Sequence, residues 1–376
     1  MRLLVVSASA GAGHTRAAQA VEEAARALDP DGEVRHVDVL DFTQGAYKKA
    51  YVGSYLRMVD HAPAAWGYLY KASDRLEKGI ADRFTRFFDK LEFARFRRFV
   101  RDTAPDALVS THFLPPQVFA SAKAKGKDTF PIAVVVTDFD VHAFWVQKTA
   151  DLYCVASEEL RAVLAGRGIS EERIRVTGIP IAAAFREKHD VPALRARFGL
   201  APDVPSVLLM GGGAGVGTML EAARAVLEAG PVQLLAVAGR NAELKTALEE
   251  LAPPRGSRVV AFGFVEKIAD QMAVSDLAVT KSGGLTTAEC LAMSLPMVIR
   301  DPIPGQEERN CDFVLEAGAG VRANGLASLR FKVAALLADR ARLASMREAA
   351  RRVARPEAAV EVVRLARNVA GVNSRS

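Results

Sequence analysis

Cysteine is scarce in this chain: three residues in 376, Cys154, Cys290 and Cys311, far apart and without the spacing of a metal site. A disulfide scaffold and a structural zinc are therefore excluded, and the usage suits a reducing cytoplasm. Long apolar runs are missing as well. No stretch approaches the roughly 20 consecutive apolar residues that a membrane-spanning helix needs. The apolar run beginning at Leu3 is only about five residues long and leads into a glycine loop and an amphipathic segment, so it reads as a first strand and not as a secretion signal. The expectation is a soluble or peripheral protein. Two phosphate-binding fingerprints are also absent. Gly11-x-Gly13 would need a glycine at position 16, which is Arg16, and no Gly-Lys-Ser/Thr occurs, so neither the dinucleotide motif nor a Walker loop is present.

Half of the residues are apolar, enough to fill two cores, and about two domains is the natural reading of the length. One pattern occurs twice: strand, glycine loop, helix. It runs first through Leu3–Ser7, Gly11–His14 and Thr15–Leu28, then through Ser206–Met210, Gly211–Gly217 and Thr218–Leu227. Each copy looks like the opening turn of a Rossmann-like α/β domain. The expected organisation is a first domain over 1–190, a linker over 191–205 that gathers Pro192, Pro202 and Pro205, and a second domain over 206–350. A terminal helix over 351–376 follows, and the chain is read as helical after Asn310.

Polar residues collect at the C-terminal ends of the predicted strands. The apolar run Pro131–Thr137 ends in Asp138, His142 and Trp145, and His14 falls where the first glycine loop meets its helix. The richest stretch is Lys281–Asn310. Asp276–Thr280 reads as a short buried strand, so Ser282, Gly283 and Gly284 close the strand and open a helix placed near Thr286. Glycines let a backbone approach a ligand closely, and the free amides and dipole of a helix start favour a phosphate. A second strand, Pro296–Ile299, ends in the loop carrying Gln306, Glu307 and Asn310. In open parallel sheets ligands bind beyond the strands' carboxyl ends. Two structural readings stand beside these: Thr286-x-x-Glu289 is a capping box by spacing, and Pro302-x-Pro304-Gly305 suits a tight turn.

The net charge is +6, yet 13 Lys+Arg against 6 Asp+Glu fall between Tyr47 and Arg101. Tyr47, Tyr51, Tyr55, Tyr68, Tyr70 and Trp66 are interleaved with them, and Phe84, Phe87, Phe88 and Leu91 recur at helical spacing. No helix-turn-helix, zinc or RRM pattern accompanies the charge, so nucleic acid is not an expected partner. Cations among aromatics suit an element lying on an anionic membrane surface; a core helix with solvated charges uses the same residues.

The runs Gly-Gly-Leu-Thr-Thr-Ala-Glu at 283–289 and Pro-Ile-Pro-Gly-Gln-Glu-Glu-x-Asn at 302–310 resemble the monogalactosyldiacylglycerol synthase and diacylglycerol glucosyltransferase family. Gly11-Ala-Gly13-His14 and Thr137-Asp138-x-x-x-His142-x-x-Trp145 are similar to two further motifs of it. The resemblance covers roughly residues 3 to 345 and departs at Lys281-Ser-Gly-Gly, where the family usually has Lys-Pro-Gly-Gly. It implies a GT-B glycosyltransferase of family 28: two facing Rossmann-like domains with an interdomain cleft. On its terms Gly13, His142 and Trp145 lie on the acceptor side, Phe264 and Val265 meet the donor's uracil, and Glu289 holds the ribose. Gln306 and Glu307 reach the sugar. Gly212, Gly213, Ser282, Gly283, Gly284, Leu285, Thr286 and Asn310 complete the donor site.

Transfer from a UDP-sugar with inversion needs a base at the acceptor hydroxyl, positive potential on the leaving diphosphate and grips on nucleoside and sugar. The base read from the sequence is His14, with Asp138 orienting it or replacing it. No metal or other cofactor is called for. The expected activity is hexose transfer from a UDP-sugar to the hydroxyl of diacylglycerol, in glycolipid synthesis, by a peripheral enzyme on the cytoplasmic face of the cell membrane. The other readings are an N-acetylglucosamine-using transferase or a 2-epimerase of the same fold, or a non-catalytic UDP-sugar-binding regulator.

Overall fold

The computed structural model describes residues 1–9, 11–45, 47–48, 92–211 and 216–371. The tyrosines from Tyr51 to Tyr70, Trp66, and the helical stripe of Phe84, Phe87, Phe88 and Leu91 lie outside the described residues, as do Gly212 and Gly213 of the second glycine loop. The chain forms two compact units: Met1–Ala183, Ile303–Gln306 and Arg355–Ser376 in the first, Ala184–Pro302 and Glu307–Ala354 in the second.

In the first unit, β1 (Arg2–Ser7), β2 (Glu33–Asp38), β3 (Ala107–Ser110), β4 (Ile132–Val135), β5 (Leu152–Val155) and β6 (Ile174–Val176) form one sheet in the order β2-β1-β3-β4-β5-β6. Every neighbouring pair is parallel. Parallel strands are covered on both faces, which is why β3, β4 and β5 are buried from end to end. The helix Ala12–Leu28 buries Ala17, Ala18, Ala20, Val21, Ala24 and Ala25. These small residues let its axis lie close to the sheet, and Val362, Val363 and Ala366 of the terminal helix Ala358–Val369 join the same cluster.

The second unit repeats the scheme with β7 (Ser206–Met210), β8 (Gln233–Val237), β9 (Arg258–Phe262), β10 (Leu277–Thr280), β11 (Met297–Arg300) and β12 (Gly320–Ala323), ordered β12-β11-β10-β7-β8-β9 and parallel throughout. Gly211, directly after β7, has no room for a side chain: a Cβ there would stand 2.0 Å from the Met219 sulfur.

Each sheet has one place where the chain reverses its direction of growth. In the first unit it lies between β1 and β3, in the second between β7 and β10. The loops leaving the two strands then run to opposite faces of the sheet and open a crevice between them.

Two sequence expectations need correction. The chain is not wholly helical after Asn310: Gly320–Ala323 pairs with β11 as the edge strand β12. Four residues with mixed burial carry no periodicity to read. Residues 191–205, read as a linker, hold the helix Val191–Phe198, capped by the Asp190 carboxylate and closed by Gly199 in the left-handed region, and they cluster with the second unit. Among the described residues no helix is long and apolar enough to cross a membrane.

Gly178 ties β6 to the terminal helix. Its φ is 88°, and a Cβ there would lie 2.3 Å from the Arg355 Cβ. Gly178→Ala is expected to destabilise the protein by about 2 kcal/mol, from left-handed strain and overlap together. Denaturant unfolding reads this directly; a curve superimposable on the wild type would contradict the packing described.

Candidate active site

The first unit's crevice is built from the ends of β1, β3 and β4. The chain leaving β1 turns through Gly11, and His14 stands in the first turn of the following helix. No side chain caps that helix start, so its amides remain available. The chain leaving β3 supplies Thr111, whose N–H donates to the Val6 carbonyl at 3.0 Å and levels the two strand ends.

Thr111 and His14 exchange two hydrogen bonds. The Thr111 hydroxyl donates to the His14 carbonyl at 2.8 Å, and the His14 Nδ1 lies 2.9 Å from the Thr111 carbonyl oxygen. A carbonyl can only accept, so Nδ1 carries the ring proton. The Thr137 hydroxyl, at the end of the β4 segment, lies 2.8 Å from the same nitrogen. Nε2 is left as the ring's lone-pair nitrogen. Burial outweighs the Thr111 bond and lowers the His14 pKa from 6.5 to about 4. The ring is therefore neutral at physiological pH, with its basic nitrogen presented.

A carboxylate orienting His14 was the expectation for Asp138. The nitrogen such a carboxylate would engage is taken by Thr111 and Thr137. Asp138 is buried, and its Oδ2 accepts a 2.6 Å bond from the Gln306 amide; Gln306 belongs to the same unit. His142 is also buried. Its Nδ1 accepts the Phe144 N–H at 3.2 Å and so closes the short turn Ala143–Trp145. Trp145 is held by the Tyr153 hydroxyl on its carbonyl, at 2.9 Å.

Thr111 and His112 carry roles that the sequence reading left unassigned. His112 meets His14 edge to face at 4.7 Å and 87°, and the Trp145 ring is 6.3 Å from both. Phe113 stacks on His112 at 4.2 Å, and Phe144, 49% exposed, lies 5.3 Å from Phe113. The signal was positional. Thr111 and His112 follow β3 as His14 follows β1, at the strand pair where the sheet reverses.

In the second unit, the helix Gly284–Ala292 starts at Gly284, two residues before the expected Thr286, with Gly283 as an N-cap that supplies no side-chain bond. Thr286 and Glu289 thus lie inside the helix, and the capping-box reading of the pair does not apply. The amides of the first turn are unclaimed by a side chain, and a Cβ on Gly283 would meet nothing within 4 Å. A phosphate fits such an opening. Ser282 is fully buried: its hydroxyl donates to the Glu307 carbonyl at 2.7 Å, and the Asn310 amide donates to the Ser282 carbonyl at 2.9 Å. These bonds lock the loop after β10 to the helix that begins at Gln306. Leu285 and Glu289 are buried beside them. At the end of β9, Phe264 is 53% exposed and Val265 partly covered; the Arg240 guanidinium lies 5.0 Å from the Phe264 ring centre. An exposed aromatic backed by a cation offers a free face for stacking.

Two parallel α/β units, each with its crevice at the sheet's reversal point, define the class: a GT-B glycosyltransferase fold. Residues 14–181 match the family model for monogalactosyldiacylglycerol (MGDG) synthase, and residues 206–362 match the glycosyltransferase family 28 C-terminal domain. A processive diacylglycerol beta-glucosyltransferase from Bacillus mycoides (strain KBAB4) is 30% identical over 372 residues, 96% of this chain and 92% of that protein. The chain belongs to the monogalactosyldiacylglycerol synthase and diacylglycerol glucosyltransferase family of glycosyltransferase family 28. Among solved structures, Acinetobacter baumannii MurG aligns with a TM-score of 0.65 at 16% identity, covering 97% of this chain and 99% of that one. S. aureus MnaA, solved with UDP, aligns at 0.63 and 14%, covering 99% and 98%.

The depressed His14 value has a consequence for titration. Its folded pKa lies below the unfolded one, so the stability it contributes is complete above pH 6.5 and is lost as pH falls toward about 4. Ring NMR of His14 in the ligand-free protein should give a midpoint near 4; a midpoint at the ordinary 6.5 would show that the ring is not desolvated as described.

Proposed function

We propose that this protein transfers a hexose, with inversion, from a UDP-sugar to the hydroxyl of diacylglycerol, as a peripheral enzyme on the cytoplasmic face of the cell membrane. The observation that carries the reading is the His14 ring, whose Nδ1 proton is committed to the Thr111 carbonyl and whose Nε2 is free to act as a base. Family membership supports the lipid acceptor and the nucleotide-sugar donor.

The reaction follows from the groups in each unit. The acceptor hydroxyl donates to His14 Nε2. Its oxygen attacks the anomeric carbon from the face opposite the diphosphate; the bond from that carbon to the diphosphate oxygen breaks, and UDP leaves with the electron pair. The hydroxyl proton passes to Nε2. A base as weak as the desolvated His14 takes that proton when the new bond to carbon is well advanced and the hydroxyl has become acidic. The Thr111 carbonyl, still accepting from Nδ1–H, then stabilises the imidazolium. Asp138, held by Gln306, adds negative charge to the same unit and is the second candidate for the proton.

In the donor unit, the free first-turn amides of Gly284–Ala292 and the positive end of its dipole receive the diphosphate, a role that needs no metal. Phe264 stacks on the uracil and Glu289 takes the ribose hydroxyls. Glu307 reaches the sugar, a role the resemblance gives to Gln306 as well, and Asn310, Gly212 and Gly213 complete the donor site. His142 and Trp145 shape the acceptor side next to Gly13.

Membrane attachment is read from the basic stretch. Its described end, the helix Ala94–Thr103, buries Phe96 and Val100 and exposes Arg95 and Arg98, while Arg101 is paired with Asp128. A cationic face of this kind is drawn to anionic lipid.

The test is UDP release from UDP-glucose and UDP-galactose, with and without diacylglycerol in anionic vesicles. Release should require the lipid and should fall at least about 100-fold in His14→Ala, the loss of one general base. Release without lipid would instead indicate hydrolysis or an epimerase, and lipid-dependent release that survives in His14→Ala would move the base to Asp138.

A further inference from the structure

His112 stands beside the base, yet the reaction above does not use it. Its position is fixed at two points: the Ser110 hydroxyl donates to its carbonyl at 2.6 Å, and its Nδ1 accepts the Leu114 N–H at 3.1 Å. The second bond settles the tautomer, because a nitrogen that accepts carries no proton; the proton is on Nε2. His112 is only 2% exposed. Among the described residues no group accepts from its Nε2–H. That nitrogen is not sealed in: among the described residues the buried side-chain polar atoms without a partner are Gln271 Oε1 and Thr287 Oγ1, so the His112 Nε2–H reaches open space where a ligand can accept from it.

The neighbouring ring is its complement. His14 offers an Nε2 lone pair and His112 an Nε2–H, on rings whose centres are 4.7 Å apart. Burial and His14 together hold the His112 pKa well below 6.5, which keeps the pair neutral. An alcohol whose adjacent carbon bears a second oxygen presents the matching pattern: one O–H to give, one oxygen to accept. In a 1,2-diacylglycerol that second oxygen is the ester on the middle carbon.

We propose that His112 is a substrate-binding residue whose Nε2–H holds the oxygen on the carbon next to the attacking hydroxyl, so that the two histidines grip a vicinal pair of acceptor oxygens. The inference rests on the transferase reading above and adds to it a reason why a glyceride hydroxyl is preferred to a plain fatty alcohol.

Two variants separate this role from packing. His112→Phe keeps an aromatic ring against His14 and Phe113 but has no nitrogen; His112→Asn keeps an acceptor for the Leu114 N–H but loses the distal donor. Both are assayed with UDP-glucose against 1,2-dipalmitoylglycerol and against hexadecanol, presented in the same anionic vesicles. The expected result is a KM for the diacylglycerol raised about tenfold in both variants, the worth of one hydrogen bond. The donor KM should stay unchanged and the preference for diacylglycerol over hexadecanol should narrow. An unchanged diacylglycerol KM in variants that melt as the wild type does, a donor KM that rises in step, or an equal loss on hexadecanol would overturn it. A wild type that turns over diacylglycerol while the variants keep its KM defeats only this inference. A wild type that releases no UDP with the lipid defeats the transferase reading and this inference with it.

Discussion

The reciprocal pair between Thr111 and His14 is the constraint on which the chemistry depends. One bond, hydroxyl to backbone carbonyl, fixes where the helix Ala12–Leu28 begins relative to β3; the other, ring nitrogen to carbonyl, fixes which face of the imidazole is basic. A backbone carbonyl in this place has an advantage over a carboxylate. It cannot take the ring proton, so the tautomer is not negotiable, and it brings no charge into a desolvated pocket. The cost is a weaker base, which suits a reaction in which the hydroxyl grows acidic as it attacks.

Both units place their functional groups by the same topological rule. In β2-β1-β3-β4-β5-β6 and β12-β11-β10-β7-β8-β9 the chain reverses once, and only there do loops from adjacent strands part without a helix filling the space between them. The first unit puts side chains at that point: His14, Thr111 and His112. The second puts backbone there, through Gly211 after β7 and through Ser282, Gly283 and Gly284 after β10. The division follows from the tasks. A proton needs a titratable group, whereas a diphosphate is held well by amides that carry no side chain and lose no rotamer freedom.

Much of the scaffold was readable because parallel strands buried on both faces are nearly continuous apolar runs. β1, β4, β7, β10 and β11 stood out in this way, whereas the edge strand β2, Glu-Val-Arg-His-Val-Asp, has no fully buried residue. β12 was not readable, since Gly-Val-Arg-Ala has neither length nor pattern; its place follows from pairing with β11, a tertiary fact. The helix in 191–205 was hidden by three prolines, although Pro192 stands in its first turn, where proline is tolerated. At the site, the residues carried by motifs could be named in advance, but their partners could not. Nothing in the spacing of Thr111 and His14, 97 positions apart, announces that they meet. The same holds for Gln306 and Asp138, which are 168 apart.

The central claim is that the empty protein already holds His14 with its proton on Nδ1 and its lone pair on Nε2. Long-range proton–nitrogen correlation on ring-labelled protein at neutral pH reads this directly. Nδ1 should show a pyrrole-type shift and Nε2 a pyridine-type shift, and Thr111→Val, which removes the hydroxyl but keeps the carbonyl, should preserve the pattern. A protonated Nε2 in the wild type would contradict it, because the nitrogen assigned to take the acceptor's proton would already be occupied.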